Sequence, residues 1–480
     1  MIPLSLDEIA RVTGARLDGG AEPAAVVTGP VVIDSRRVGP GSLFAAVEGE
    51  RVDGHDFAAT ARAAGAVAML GTRPAGVPGL IVDDVPAALA KLAQEVVARL
   101  PQATIAGLTG SAGKTSTKDL TAQLVERLGP TVSPEGSYNN EFGFPLTVLR
   151  ADEQTRFLVL ELAARGPGHI AFLCEIAPPR VGAVLNVGHA HTGEFGGIEQ
   201  VARAKGELPA ALPAAAAGGV AVLNADDHRV RAMAARTEAR IVTFGMAEGP
   251  GAAVLDRRPD FTATGVRLDD LGRPSFTLLT PAGSAVVRMG LHGAHQVPNA
   301  LAAAAIAAEL GLDVGGIADG LSTATARSRW RMEVHQAPGG VTVINDAYNA
   351  NPESVRAALD ALGHLARGRR SFAVLGQMAE LGGESRDSHL EAGAQAAGAG
   401  VAGLIVVGKE AEPILDGAQA TAGWPGEAIG VPDIPAAIAV LRGRLTAGDV
   451  VLVKASRAAG LERVAAELLA QPASKKETAQ

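Results

Sequence analysis

The sequence predicts an α/β protein of three domains, with a phosphate-binding turn at the head of the middle one. Three observations lead there. Residues 104–128 run as an apolar strand, a small-residue loop, Lys-Thr and an amphipathic helix. Elsewhere, short β-branched runs alternate with helical patterns, which implies mostly parallel sheets covered on both faces. And 480 residues exceed what one hydrophobic core organises. The expected units are a small N-terminal α/β domain (1–101), a central P-loop domain with a doubly wound, mostly parallel sheet (102–327), and a C-terminal Rossmann-like domain (328–480).

In the first unit, residues 6–13 read as a helix with Asp7 in its first turn. Strands are expected at 31–33, 43–47, 67–70 and 80–82, and helices at 58–64 and 86–100. Pro101 marks the boundary. In the second unit, the strand 104–108 leads through Gly110-Ser-Ala-Gly113 to Lys114 and Thr115. The helix that follows carries Leu120, Leu124 and Leu128 on one face and stops at Gly129-Pro130.

Residues 137–145 form a polar loop before a helix near Leu146. Residues 157–161 are an apolar strand ending on Glu161, and 181–187 a strand ending near Asn186, followed by His189, His191 and Glu194. A helix at 198–208 carries Lys205, and 219–223 is a strand. Residues 252–291 read as an antiparallel edge with turns at Gly265, Gly272 and Gly283. A helix at 300–310 follows. In the third unit, strands are expected at 341–344, 371–375, 404–407 and 450–453, with helices from Glu353 and up to Leu469. Its first βα turn lacks G-x-G-x-x-G, so no dinucleotide is expected there.

Composition excludes several classes. The net charge is −8, with no basic block or interleaved aromatics, which argues against nucleic acid. Cys174 is the sole cysteine, so no intrachain disulfide forms and a reducing compartment fits. Residues 1–11 hold Asp7 and Glu8 and do not resemble a signal peptide. No apolar run is long enough to suggest a membrane span.

Strand, glycine loop, Lys-Thr and helix form an anion site because backbone N–H groups converge at the positive end of the helix. The spacing is G-x-x-G-K-T from Gly110, shorter than the general P-loop pattern. Ligands of open α/β sheets sit at strand carboxyl ends. Thr115 and Glu161 fall there and supply the oxygens that Mg²⁺ prefers. A second metal would use Glu161 and either His189 or His191. Asp34-Ser35-Arg36 is a candidate diphosphate contact.

The shorter loop resembles that of the Mur ligases, amide ligases of bacterial cell-wall precursor synthesis, and of the folylpolyglutamate synthetases. Nearly the whole chain is similar to the Mur ligases. The likeness rests on Asp34-Ser-Arg36, the 40–44 and 53–57 segments, Thr109 to Ser116, Asn139-Asn140, and Asn186 with His191. It continues through Ala204-Lys-Gly-Glu207, Asn224-Ala-Asp226 and His292 to Asn299, then Arg331-Met-Glu333, Asp346 to Pro352, Met378-Ala-Glu-Leu-Gly382 and Val453 to Arg457. The 346–352 and 378–382 segments resemble the branch that adds D-alanyl-D-alanine. Ala112 departs from the asparagine common in sister ligases.

The resemblance implies a cytoplasmic, monomeric enzyme using ATP and Mg²⁺, a UDP-N-acetylmuramoyl-tripeptide and D-alanyl-D-alanine. It implies that Gly110, Ser111, Ala112, Gly113, Lys114, Thr115 and Ser116 hold the phosphates, with Thr115, Glu161 and His191 on metal. Lys205 falls where several members carry a carbamylated lysine. Asn299, Arg331 and Asp346 would close on adenine, phosphate and ribose. Ser35 and Arg36 would take the UDP end, and Asn139, Asn140 and Arg165 the muramoyl peptide. Tyr348, Asn349, Asn351, Lys454 and Ser456 would face the dipeptide. No protein nucleophile is needed, since the carboxylate is activated as an acyl phosphate. Hinges are expected near Pro101 and Arg327. The alternatives are a folylpolyglutamate synthetase, or a nucleotide-dependent binding protein without chemistry.

Overall fold

A computed structural model of the chain describes residues 1–49, 52–188, 195–248 and 258–470. It is an α/β structure built on three main sheets. The first helix, Leu6–Thr13, begins at a capping box in which Ser5 and Glu8 satisfy each other's backbone N–H, and stops at left-handed Gly14. The five-stranded sheet of the N-terminal part runs Arg16–Asp18, Gly79–Ile81, Ala68–Gly71, Leu43–Ala45, Val31–Val32 in space.

The central sheet has nine strands. The strand Thr104–Thr109 lies between Phe157–Glu161 on one side and Val181–Val184 on the other, all parallel. The connections leave it in opposite directions, which opens a crevice at its carboxyl end, where the glycine loop begins. Beyond Val181–Val184 come Val220–Asn224, then Arg240–Met246 and Phe261–Leu268, still parallel. Pro274–Thr280 and Gly283–Arg288 complete an antiparallel edge.

Several details differ from expectation. Gly265 is not a turn; it sits at positive φ inside the strand Phe261–Leu268, where the register shifts between Thr264 and Arg267. Residues 252–257 fall outside the described residues. The expected helix at 198–208 breaks into Ile198–Lys205 and Glu207–Ala210; the Gly206 N–H still reaches the Ala202 carbonyl at 3.0 Å, but Pro209 has no N–H to give the Lys205 carbonyl. The expected helix at 300–310 starts earlier, as Gln296–Glu309. Eleven of its fourteen residues are Ala, Val, Leu, Ile or Pro, seven of them alanine, and this lets it lie against both the sheet and the P-loop helix Lys114–Val125. Arg240–Met246 carries no clean alternation and was not anticipated.

The C-terminal sheet has six strands in the order Glu333–Gln336, Thr342–Asn345, Val450–Lys454, Ser371–Leu375, Gly403–Val407, Glu427–Val431, all parallel except the first. Two buried cores pack its faces. Two features tie the units together. One apolar core runs without a break from the N-terminal residues Ile2 and Leu6 to Leu160 and Leu223 of the central sheet, across Pro101. And residues 325–328 lie along the P-loop helix. Gln123 takes the Thr325 N–H and donates to its carbonyl, both at 3.0 Å. Asp119 accepts from the Ser328 N–H at 3.1 Å, and Arg327 pairs with Glu126 at 2.5 Å. Among the described residues no helix is long and apolar enough to cross a membrane.

Candidate active site

The glycine loop is held from behind. Asn186 Oδ1 accepts from the N–H groups of Ser111 (2.9 Å) and Ala112 (2.8 Å), while its Nδ2 donates to the Ala112 carbonyl at 3.0 Å. Ser111 Oγ donates to the Gly188 carbonyl at 3.1 Å. These contacts spend the first amides of the loop. The N–H groups at the start of the helix, which have no intrahelical partner, remain for an anion. Gly113 is left-handed at φ 81°, and a Cβ there would lie 2.4 Å from Asn299 Oδ1. Glycine is therefore required twice over: by the backbone, and by the close approach of the buried helix Gln296–Glu309.

Lys114 folds back so that its Nζ donates to the Gly110 carbonyl at 2.8 Å. Burial pushes its amine below the ordinary lysine range. Glu161 and Glu380 oppose that shift and Arg331 adds to it. Thr115, 3% exposed, shares a 2.8 Å hydroxyl contact with Ser137.

Glu161 ends a fully buried strand and is itself 0% exposed. Its Oε1 accepts from Asn139 Nδ2 at 2.7 Å, and its Oε2 has no hydrogen-bond partner among the described residues. A buried carboxylate oxygen left in this state is costly unless a cation takes it. The donors present, a carboxylate and a hydroxyl facing one cavity, match the hard-oxygen preference of Mg²⁺. His191, with His189 and Glu194, lies outside the described residues.

Lys205 is 4% exposed, and burial with the nearby Lys114 charge pushes its amine well below the usual range. Burial thus favours the neutral amine of Lys205 over its ammonium.

The C-terminal sheet supplies the opposite wall. Arg331 donates from Nη2 to Thr115 Oγ1 at 3.1 Å and to Ser137 Oγ at 3.3 Å, and its guanidinium lies 4.2 Å from the Tyr348 ring centroid. Both flanking residues, Trp330 (φ 59°) and Met332 (φ 51°), are left-handed. Non-glycine residues held there cost about 1–3 kcal/mol each, and such strain concentrates where a side chain must be aimed. Asn351 caps the helix Pro352–Ala366 and reaches the Ser111 carbonyl at 3.4 Å, bridging the C-terminal sheet to the loop.

Two cavities meet at Ala112, Gly113 and Arg331. The larger, about 790 Å³, is bounded by Lys114, Thr115, Glu161 and the third-unit residues Tyr348, Asn349 and Asn351. The smaller, about 260 Å³, is bounded by Ser116, Asn299, Asp346, Lys454 and the half-buried His295. Asn139, Asn140 and Arg165 line the larger cavity. Asn140 Oδ1 also accepts from the Phe142 N–H at 3.3 Å and the Gly143 N–H at 2.9 Å, at the start of the helix Gly143–Val148.

Some candidates fall elsewhere. Lys454 borders the smaller cavity rather than the larger, because its Nζ is committed to Asp346 Oδ2 at 2.6 Å and to the Asn349 carbonyl at 2.9 Å. Ser456 is 4% exposed and lines neither; its Oγ accepts from the Ala379 N–H at 2.8 Å. Ser35 and Arg36 also line neither cavity, and Arg36 pairs with Asp34 at 2.7 Å, holding that carboxyl at about 2. Ser137 was not singled out as a site residue, and Asn186 was noted at a strand end and in the family likeness but not as the brace of the loop. An asparagine ending a strand and a serine opening a polar loop were the local signals they offered.

Three family models match the chain: "Mur ligase family, catalytic domain" over 30–97, "Mur ligase middle domain" over 108–307 and "Mur ligase, glutamate ligase domain" over 330–457. The UDP-N-acetylmuramoyl-tripeptide–D-alanyl-D-alanine ligase of Mycobacterium tuberculosis is 48% identical, covering 98% of each chain. The enzyme of the same name from Escherichia coli is 36% identical over 97% of this chain and 98% of its own. Among solved structures, MurF from Acinetobacter baumannii superposes with a TM-score of 0.83 at 30% identity, covering 97% of this chain and 99% of that one. MurF ligase from Thermotoga maritima in complex with ADP gives 0.76 at 31% identity, over 92% and 97%.

Proposed function

The chain belongs to the Mur ligase family, and on that premise we propose that it joins D-alanyl-D-alanine to the terminal carboxylate of a UDP-N-acetylmuramoyl-tripeptide at the expense of ATP. The observation that carries the reading at the site is the meeting of two cavities at one phosphate loop, with an unpartnered buried carboxylate oxygen on the larger side. Adenosine occupies the smaller cavity beside Asn299 and Asp346. The phosphates cross the loop into the larger one, where the peptide carboxylate waits.

Lys114 leaves the Gly110 carbonyl for the phosphate oxygens, and the amides at the helix start hold them in place. Thr115 and Glu161 are the residues that would hold Mg²⁺, which when bound neutralises charge on the transferring phosphoryl group. Arg331 moves from the Thr115 and Ser137 hydroxyls to the phosphates. The tripeptide carboxylate attacks the γ-phosphorus and ADP leaves. The dipeptide amine then attacks the acyl carbon, and phosphate departs from the tetrahedral centre. Walls drawn from the central and C-terminal sheets keep water from the acyl phosphate. One chain lines both cavities, so a monomer suffices. A cytoplasmic location follows from the nucleotide substrates.

Phosphate release is expected only when ATP, UDP-tripeptide and D-alanyl-D-alanine are all present. Release driven as well by a folate with glutamate would reject the assignment.

Lys205 is proposed to carry a carbamate, because burial favours the neutral amine, the form that reacts with CO₂, and the product is a carboxylate-like oxygen donor beside the Lys114 charge. Labelled bicarbonate should give a protein-bound carbonyl resonance that Lys205→Arg abolishes. An unchanged spectrum in that variant would show the lysine to be a plain structural amine.

A further inference from the structure

His389 is a buried titratable group that the reaction leaves without a role. It lies on the helix Ser385–Gly398 and is 0% exposed. Both ring nitrogens are committed. The Met378 N–H donates to Nε2 at 2.9 Å, so Nε2 is the acceptor. The ring proton is then on Nδ1, which donates to the Ser385 carbonyl at 2.6 Å. Burial lowers the imidazole below its ordinary value, with the Ser385 contact opposing, and so favours the neutral ring that this pattern requires.

Met378 belongs to the loop between the strand Ser371–Leu375 and that helix. The loop is pinned by its backbone at each residue from 376 to 379. The Gly376 N–H donates to the Lys454 carbonyl at 3.0 Å, and the Gln377 carbonyl accepts from the Ser456 N–H at 2.9 Å. The Met378 N–H goes to His389, and the Ala379 N–H to Ser456 Oγ at 2.8 Å. Met378 and Leu381, each 1% exposed, anchor the loop in the core of the third unit. Glu380, between them, is left-handed at φ 65° and borders the larger cavity. A residue with a Cβ stays in that conformation only where its surroundings over-determine it. The carboxylate it presents acts on Lys114, opposing the effect of burial on that amine.

The central unit already accounts for two substrates, ATP at the phosphate loop and Asn299, and the peptide at Asn139, Asn140 and Arg165. The wall of the larger cavity built by the third unit, of which this loop is part, is left to the dipeptide.

We propose that His389 is a positioning residue for the dipeptide: through the Met378 amide it fixes the 376–382 loop as one face of the acceptor site, without touching substrate itself. The assignment deepens the proposed reaction and rests on it.

Two substitutions separate this role from a purely structural one. In His389→Gln an amide oxygen lies as many bonds from Cβ as Nε2 does, so it can still accept from Met378 while the Ser385 contact is lost. In His389→Asn an amide nitrogen takes the place of Nδ1, so the Ser385 contact is kept and Met378 is released. Each gives up one buried hydrogen bond, and thermal melts control for that shared loss. In phosphate-release assays His389→Asn should raise the KM for D-alanyl-D-alanine about tenfold and leave those for ATP and UDP-tripeptide unchanged, whereas His389→Gln should stay within about twofold of the wild type. In the wild-type protein holding ADP and UDP-tripeptide, saturating dipeptide should slow hydrogen exchange across 376–382. Equal dipeptide KM values in the two variants, or a rise shared by all three substrates in His389→Asn, would overturn the assignment and leave the reaction intact. So would exchange across 376–382 that the dipeptide does not change, a result that holds even where His389→Asn fails to fold. A wild-type protein whose phosphate release ignores the dipeptide would overturn the reaction itself.

Discussion

Lys114→Ala is expected to slow phosphate release by about 10³-fold, the scale of removing a preorganised charge from a developing anion. UDP-tripeptide affinity, measured by calorimetry without nucleotide, should be unchanged. The reason is geometric. Lys114 Nζ sits on the Gly110 carbonyl at 2.8 Å, inside the loop whose next amides face the anion. Its amine is already disfavoured as a cation by burial, so a phosphate is the partner that restores the charge. The loop itself should survive the change, because Asn186 and Ser111 hold its backbone without the lysine. A variant that ligates at the wild-type rate would remove Lys114 from the reaction.

Asp346→Ala is expected to destabilise the chain by about 3–5 kcal/mol, the cost of leaving a buried charge without its partner. Asp346 is 8% exposed and Lys454 2%. The carboxylate serves two groups, accepting from Lys454 Nζ at 2.6 Å and from the Met332 N–H at 3.1 Å. It thereby fixes the strained turn that aims Arg331. Adding Lys454→Met to Asp346→Ala should recover much of the loss in chemical denaturation, since the orphaned ammonium is then gone. Equal stability of the single and double variants would mean that the pair is not coupled.

The same pair has a pH signature. Burial lowers the Lys454 amine below the ordinary lysine value, with Asp346 opposing and Arg331 adding. The folded chain therefore binds this proton less tightly than the unfolded one. Its contribution to stability is fully present above the unfolded lysine value of about 10.4 and is lost as pH falls through the lowered folded value.

Much of the site was legible locally. The strand, loop and helix around Gly110–Thr115 are set by neighbouring residues: β-branched before, small within, amphipathic after. Glu161 stood out because four apolar residues precede an acid at a strand end. The left-handed Gly113 and the capping boxes at Ser5 and Asn351 are also set within a few residues, though the sequence reading did not name them.

The partnerships were not legible. The resemblance set Lys454 and Ser456 facing the dipeptide. Lys454 instead neutralises Asp346, 108 positions away, and Ser456 ties two loops together. Asn186 holds the loop from 74 positions downstream. Trp330 and Met332 show no sign of left-handed backbone in their residue types.

The sequence by itself thus determined the α/β class, the phosphate loop and the acids and cations offered to it, since each follows from local propensity and periodicity. Only the tertiary structure decided which of those groups are consumed by one another and which still face a cavity. That depends on strand order and on contacts between residues far apart in the chain. No local pattern records them, because the same side chain is a ligand when its neighbours leave it a lone pair and a strut when they do not.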